Sequence, residues 1–157
     1  MEFIRIETIT KDGKKFSSEI ETESLYKLNC ASGKIIEMPD KITDVCVSDG
    51  ILLIRTQDRD FRDGRQTAPI IKDDRQENNI NAFDCQGNHL WNIGEIVGDI
   101  KMQFDGITHL SLEEAKNQYG ISCKTTSNLF KCISGGFVFI IDANDKKLLL
   151  KVSGGAK

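Results

Sequence analysis

The sequence has no run of 18 apolar residues, so nothing in it is long and apolar enough to cross a bilayer as a helix. Its first residues, Met1-Glu2-Phe3-Ile4-Arg5-Ile6-Glu7, carry charges where a secretion signal needs an apolar stretch. A soluble, cytoplasmic protein with no membrane partner is therefore expected. Charge of one sign is scarce too. The 21 Lys and Arg against 24 Asp and Glu leave a net charge of −3, a poor footing for neutralising phosphates, so no direct nucleic-acid binding is expected. Five cysteines (Cys30, Cys46, Cys85, Cys123 and Cys132) include no C-x-x-C pair, which excludes a zinc ribbon or a thioredoxin-type site. Their odd number argues against a secreted disulfide framework, and reduced thiols packed as small hydrophobes are expected. Cys46, between Val45 and Val47, reads as a buried strand position. His89 and His109 have no neighbour at ligand spacing, so each reads as a strand-surface residue. There is no nucleophile elbow, glycine-rich phosphate loop or paired-histidine zinc motif. Ser134-Gly135-Gly136 precedes a strand rather than a helix and is a turn, not a phosphate cradle. No catalytic residue, metal site or cofactor is expected.

What the chain does have is β-structure. Its 157 residues suit one β-rich domain spanning 1–157, long enough to bury roughly 68–70% of its surface without a staple. Phe3-Ile4-Arg5-Ile6-Glu7-Thr8-Ile9 alternates as a half-buried strand does. Ile51-Leu52-Leu53-Ile54 and Phe137-Val138-Phe139-Ile140-Ile141 are unbroken apolar runs, too short for helices, that read as strands buried on both faces. Leu148-Leu149-Leu150 is a shorter version. Asp49-Gly50, Asp105-Gly106 and Gly135-Gly136 each offer the positive φ of a two-residue hairpin. The one good helix signal is the capping box Ser111-Leu112-Glu113-Glu114, which opens a helix of about eight residues ending at Gly120. Strands buried on both faces need cover on both sides. One short helix is too little for that, so the cover is expected from other sheets, stacked like blades.

A faint repeat supports the stacking. Leu25–Ile36, Ile80–Trp91 and Val138–Leu149 each read as strand, Asx residue, a short gap, Gly or Asp, then a second strand. The Asx side chain closes the turn and the glycine accepts a left-handed conformation, with Asp145 in the glycine's place in the third copy. The copies start 55 and 58 residues apart, longer than a 40–45-residue blade repeat, so insertions are needed; the first is Gln57–Asn79. The chain here resembles the outer hairpins of β-propeller blades of the PQQ-repeat or WD-like kind, the middle copy, Ala82-Phe83-Asp84-x-x-Gly87-x-x-Leu90-Trp91, being the best match. It also resembles a group of short bacterial proteins that combine such a hairpin with Asp-Gly turns and a closing strand pair. The resemblance implies a mainly β fold of stacked antiparallel sheets, a partial β-propeller of about three blade-like units with one short helix. Three blades do not close a ring, and the PQQ-type cofactor site does not carry over. An open fan, a homodimer completing six blades and another β-fold that reuses the hairpin all remain open. Trp91 is expected between sheets, with a ligand platform as the alternative.

The most charged stretch is Asp58-Arg59-Asp60-Phe61-Arg62-Asp63-Gly64-Arg65. Asp58 and Asp60 fit positions one and three of a calcium loop, but Arg62 and Asp63 stand where that loop needs an oxygen ligand and a glycine. The plain reading is a solvated loop. The sharper reading is a partner-binding loop in which Phe61 is the buried anchor and Asp58, Asp60 and Asp63 pair with basic groups, while Arg59, Arg62 and Arg65 fold back on their neighbours. Asp99, Asp105 and Glu113 are further acidic candidates for the same rim; Asp40, Asp44, Asp49 and Glu114 ordinarily are just solvated. These features point to a non-catalytic protein-binding module. The resemblance to short bacterial proteins narrows it to an immunity protein that neutralises a cognate toxin, a nuclease with a basic active site. A self-assembling structural module is the alternative. A small nuclease using His89, His109 and Lys101 is the least supported reading.

Overall fold

The computed structural model describes the backbone of residues 3–9, 15–21, 26–30, 32–57, 78–98 and 102–153, and side chains from residue 26 onward. Among the described residues the chain is mainly β, with three four-stranded antiparallel sheets and two short helices. Each sheet is built from four strands in chain order. Sheet one holds β1 (Phe3–Ile9), β2 (Lys15–Glu21), β3 (Lys27–Cys30) and β4 (Ile35–Glu37). Sheet two holds β5 (Lys41–Ser48), β6 (Ile51–Gln57), β7 (Ile80–Asp84) and β8 (His89–Asn92). Sheet three holds β9 (Gly106–Leu110), β10 (Leu129–Ser134), β11 (Phe137–Asp142) and β12 (Lys147–Ser153). Helix α1 (Gly94–Val97) follows sheet two and α2 (Leu112–Tyr119) joins β9 to β10. The leading strand β5 lies beside the leading strands β1 and β9 of the flanking sheets.

The two-residue period of a strand explains why sheet two needs both neighbours. Along β6, Ile51 and Leu53 enter the core shared with sheet three, while Leu52 and Ile54 enter the core shared with sheet one. Every residue of that apolar run is buried, each such side chain contributing about 1.5–3 kcal/mol. Strand β11 divides in the same way. Phe139 and Ile141 face sheet two, whereas Ile140 faces a separate cluster with Leu110, Ala115 and Leu129. The latter cluster corrects the expectation that only sheets cover two-faced strands. Helix α2 covers the far face of sheet three, bringing Ala115, with Leu112, Tyr119, Ile121 and Cys123 packed alongside. It starts where the capping box places it: Glu114 N–H donates to Ser111 Oγ (3.0 Å) and Ser111 N–H to Glu114 Oε1 (3.1 Å). Gly120 ends it with φ 68°. Helix α1 had no signal in the sequence.

Two of the three expected tight turns form. Asp49 (φ 49°) and Gly50 (φ 82°) join β5 to β6, and Gly135 (φ 55°) with Gly136 joins β10 to β11. Asp105-Gly106 is not a hairpin, because no strand precedes it; it leads into β9, where the Asp105 carboxylate accepts from Gly135 N–H (2.9 Å). The three repeat copies are the β3–β4, β7–β8 and β11–β12 hairpins, the last pair of each sheet. Their registers differ from the sequence alignment. Cys30 N–H donates to Lys34 O and Asp84 N–H to Asn88 O (both 2.9 Å), so Cys30, not Asn29, occupies the Asx position of the first copy. In the third copy the left-handed residue is Lys146 (φ 53°), not Asp145, because that loop is one residue longer. Cys46 is half-buried rather than buried, because β5 is less covered along its length than β6.

Candidate functional site

Asp58, Arg59, Asp60, Phe61, Arg62, Asp63, Arg65 and Asp99 lie outside the described residues, as does Lys101. What is described is the root from which the Gln57–Asn79 insertion leaves and returns. Asn79 is 3% exposed and its amide is fully engaged. Asn79 Nδ2 donates to Thr56 O (2.8 Å) and Phe104 O (3.0 Å), and Asn79 Oδ1 accepts from Phe104 N–H (2.7 Å). Thr56 N–H in turn donates to Asn79 O (3.1 Å), and Asn78 N–H to Met102 O (2.8 Å). One side chain thus replaces the strand ladder that the end of β6 and the 102–105 segment would otherwise lack.

The same end carries a charged seam. Arg55 Nε stands 3.5 Å from Asp44 Oδ2, which also accepts from Ile107 N–H (3.3 Å), so one carboxylate joins β5, β6 and β9. Arg55 Nη1 donates to Phe104 O (3.4 Å), and Thr43 Oγ1 to Arg55 O (3.2 Å). Asp44 is therefore a structural ligand rather than a solvated acid, and Asp40, buried at 7% exposure, is not solvated either. Asp105 sits at this end, tied to the Gly135 turn. Glu113 does not. β5 and β9 run side by side in one direction, Asp44 meeting Ile107 at one end while Asn128 Nδ2 reaches Ser48 O (2.9 Å) at the other. Helix α2 starts beyond that second end, which places Glu113 a strand's length, roughly 17 Å, from Asp105.

The histidines sit on different sheets with different partners. His89 Nε2 is 3.0 Å from Asn81 Oδ1 and its ring meets Phe83 edge-on at 5.2 Å. His109 meets Phe130 edge-on at 5.8 Å. Trp91 is 2% exposed in the core between sheets two and three, and its indole N–H has no hydrogen-bond partner among the described residues. At the opposite end, Asp84 closes its hairpin as the repeat implied. Its Oδ1 accepts from Gln86 N–H and Asn88 N–H (both 2.9 Å) and its Oδ2 from Asn88 Nδ2 (3.0 Å). Burial pushes the Asp84 carboxyl up, but the donors of Asn88, Gln86 and Gly87 together hold it below its ordinary value. Glu95 is lowered chiefly by Asn92 N–H, which donates to it at 2.9 Å, with Lys146 at 3.5 Å adding a link to the tip of sheet three. Among the described residues no three His, Cys, Asp or Glu side chains form a group able to hold a metal ion.

Sequence reasoning missed Asn79 and the Asp44–Arg55 pair. A polar residue before a strand and a charge of each sign on two strands are ordinary, and Asn79 and Asp44 find partners as far as 25 and 63 residues away. No protein-family model, curated protein or solved structure matches the chain.

Proposed function

We propose that the chain is a non-catalytic protein-binding module, its three sheets acting as blade-like units of a partial propeller over 1–157. The observation that carries this reading is the buried Asn79 staple, which fixes both roots of the Gln57–Asn79 insertion against Thr56 and Phe104. A rigid scaffold that anchors the two ends of a charged insertion is how binding loops are presented. The side-by-side placement of β1, β5 and β9, with each repeat hairpin last in its sheet, supports the blade-like reading. Narrowed by the acidic balance, the partner is a basic toxin domain, a nuclease, which the chain neutralises as a bacterial immunity protein by covering its active site. In that complex Phe61 anchors and Asp58, Asp60, Asp63 and Asp105 meet basic groups; Glu113 belongs to another surface.

The homodimer that closes a six-blade ring is the weaker reading. Helix α2 occupies the far face of sheet three, where a further blade would have to stack. The small nuclease is weaker still, since His89 and His109 are held separately by Asn81 and Phe130. The test replaces residues 58–77 by a short glycine turn and measures folding by circular dichroism and binding, by calorimetry, to the proposed cognate toxin domain. Loss of binding with folding intact supports the reading. A folded deletion that binds with unchanged affinity overturns it.

A further inference from the structure

Each seam between sheets carries a thiol from either side. Cys30 of sheet one and Cys85 of sheet two belong to one buried cluster, and Cys46 of sheet two packs against the cluster that holds Cys132 of sheet three. All five cysteines are thiols. In the first seam the hairpin tips interlock. Ser32 Oγ donates to the carbonyl of Gln86, next to Cys85, at 2.7 Å, and Lys34 Nζ to Asn88 Oδ1 at 3.4 Å. Cys30 Sγ lies against the same turn, 3.2 Å from where a Cβ on Gly87 would stand. The two thiols also interact electrostatically: Cys85 is pushed up to about 11 by burial, then by Asp84 and by Cys30.

We propose that Cys30 and Cys85 form a redox latch, converted by a low-molecular-weight disulfide such as oxidised glutathione into a disulfide that ties sheet one to sheet two. One chain thiol loses its proton and its thiolate attacks a sulfur of the oxidant. The oxidant's S–S bond breaks, and the leaving thiolate takes up a proton. The second chain thiolate then attacks the mixed disulfide and displaces the remaining half, again as a thiol. Two chain thiols are oxidised, and one small disulfide is reduced to two thiols. Because the thiolate is the attacking species and burial holds Cys85 protonated, the latch closes slowly near neutrality and faster as pH rises. The bond would join positions 55 residues apart, restricting the unfolded chain as well as the seam. This inference rests on the seam and is independent of any partner.

The test uses the full chain in a Cys123→Ser background, which removes the thiol outside both seams, treated with oxidised glutathione at mildly alkaline pH, then digested for mass spectrometry. The expected product is lighter by two hydrogens, yields one cross-linked peptide pair containing Cys30 and Cys85, and melts several degrees higher until a reductant is added. Cys30→Ser and Cys85→Ser should each abolish that peptide pair and retain a glutathione adduct instead. A preferred Cys46–Cys132 link, an intermolecular disulfide, a persistent adduct on the unsubstituted pair, or no reaction at all would overturn the proposal. Should a serine variant fail to fold, the peptide map of the parent alone decides.

Discussion

The two seams of the molecule are built differently. Between sheets two and three the core is aromatic and large, with Trp91, Phe104, Phe130 and Phe139 fully buried and Phe104 meeting Phe139 edge-on at 5.5 Å. Half-buried polar bonds cross it as well, between Asp44 and Ile107 and between Asn128 and Ser48. Among the described residues, the core between sheets one and two is smaller and aliphatic, with Phe83 its one large ring, and the side-chain bonds seen to cross it are exposed ones at the hairpin tips. Exposed bonds contribute little net stability, whereas buried polar bonds are costly to break. On the described residues, sheets two and three are expected to form the cooperative body, with sheet one docked onto it through side chains such as Leu28 and Ile36.

The largest expected effect breaks the second seam. Phe104→Ala should cost about 3–5 kcal/mol and unfold sheets two and three together, read by urea denaturation with Trp91 fluorescence as the probe. Leu28→Ala in the first seam should cost about 2–4 kcal/mol. It should raise amide exchange in β3 and β4 first and leave the Trp91 transition nearly in place. Parallel loss of both signals would erase the distinction between the seams.

Next comes Asn79→Ala, which strands the Phe104 N–H and removes the donor to two carbonyls, with an expected cost of about 2–3 kcal/mol. Asn79→Asp should be worse at neutral pH, since a carboxylate cannot donate to Thr56 O or Phe104 O, and should recover in part in acid. Thermal melts at two pH values check the sign.

Alkali separates the seams by their thiols. Burial, then Asp84 and Cys30, push Cys85 in the first seam up to about 11; burial and then Asp44 push Cys46 at the second up to about 11 as well, and burial raises Cys132 further. The unfolded chain sheds these protons near the ordinary value of 9.0 while the folded chain retains them. Stability is therefore intact below about pH 9 and declines as pH rises towards about 11. Cys85→Ala should flatten the decline seen by exchange in sheet one, and Cys46→Ala the decline seen by Trp91. The reverse assignment would contradict the seam comparison.

The smallest effect is Trp91→Phe. The substitution removes volume from the second seam but also the indole N–H, unpartnered among the described residues, so its net cost should stay within about 1 kcal/mol, read by circular dichroism. A loss as large as that of Phe104→Ala would mean that the indole N–H has a partner.

Much of the strand order is legible in the amino-acid sequence, and the reason is local. The run Ile51–Ile54 announces burial on both faces because its period is that of the backbone itself. Ser111 and Glu114 announce a helix start because the partners of a capping box are three residues apart. The repeat is legible as hairpins but misregistered by one residue at Cys30, whose backbone does at that turn what the Asp84 side chain reinforces in the next sheet. Cover by α2 escapes a sequence reading because a helix's reach depends on the loop that follows it: Ile121 and Cys123 extend the cluster beyond its last turn.

By itself the sequence determined the alternation along each strand, the Asp49-Gly50 and Gly135-Gly136 turns and the helix that Ser111 caps, since each is decided by dihedral preferences and hydrogen bonds within a few residues. Only the tertiary structure decided that Asn79 would staple Thr56 to Phe104, that Asp44 would serve three strands, that Asp105 and Glu113 would part company, and that Cys30 would lie beside the turn after Cys85. Those outcomes depend on how strands and sheets face one another, across as many as 63 residues for Asp44, where burial and packing set the geometry and no short-range preference can.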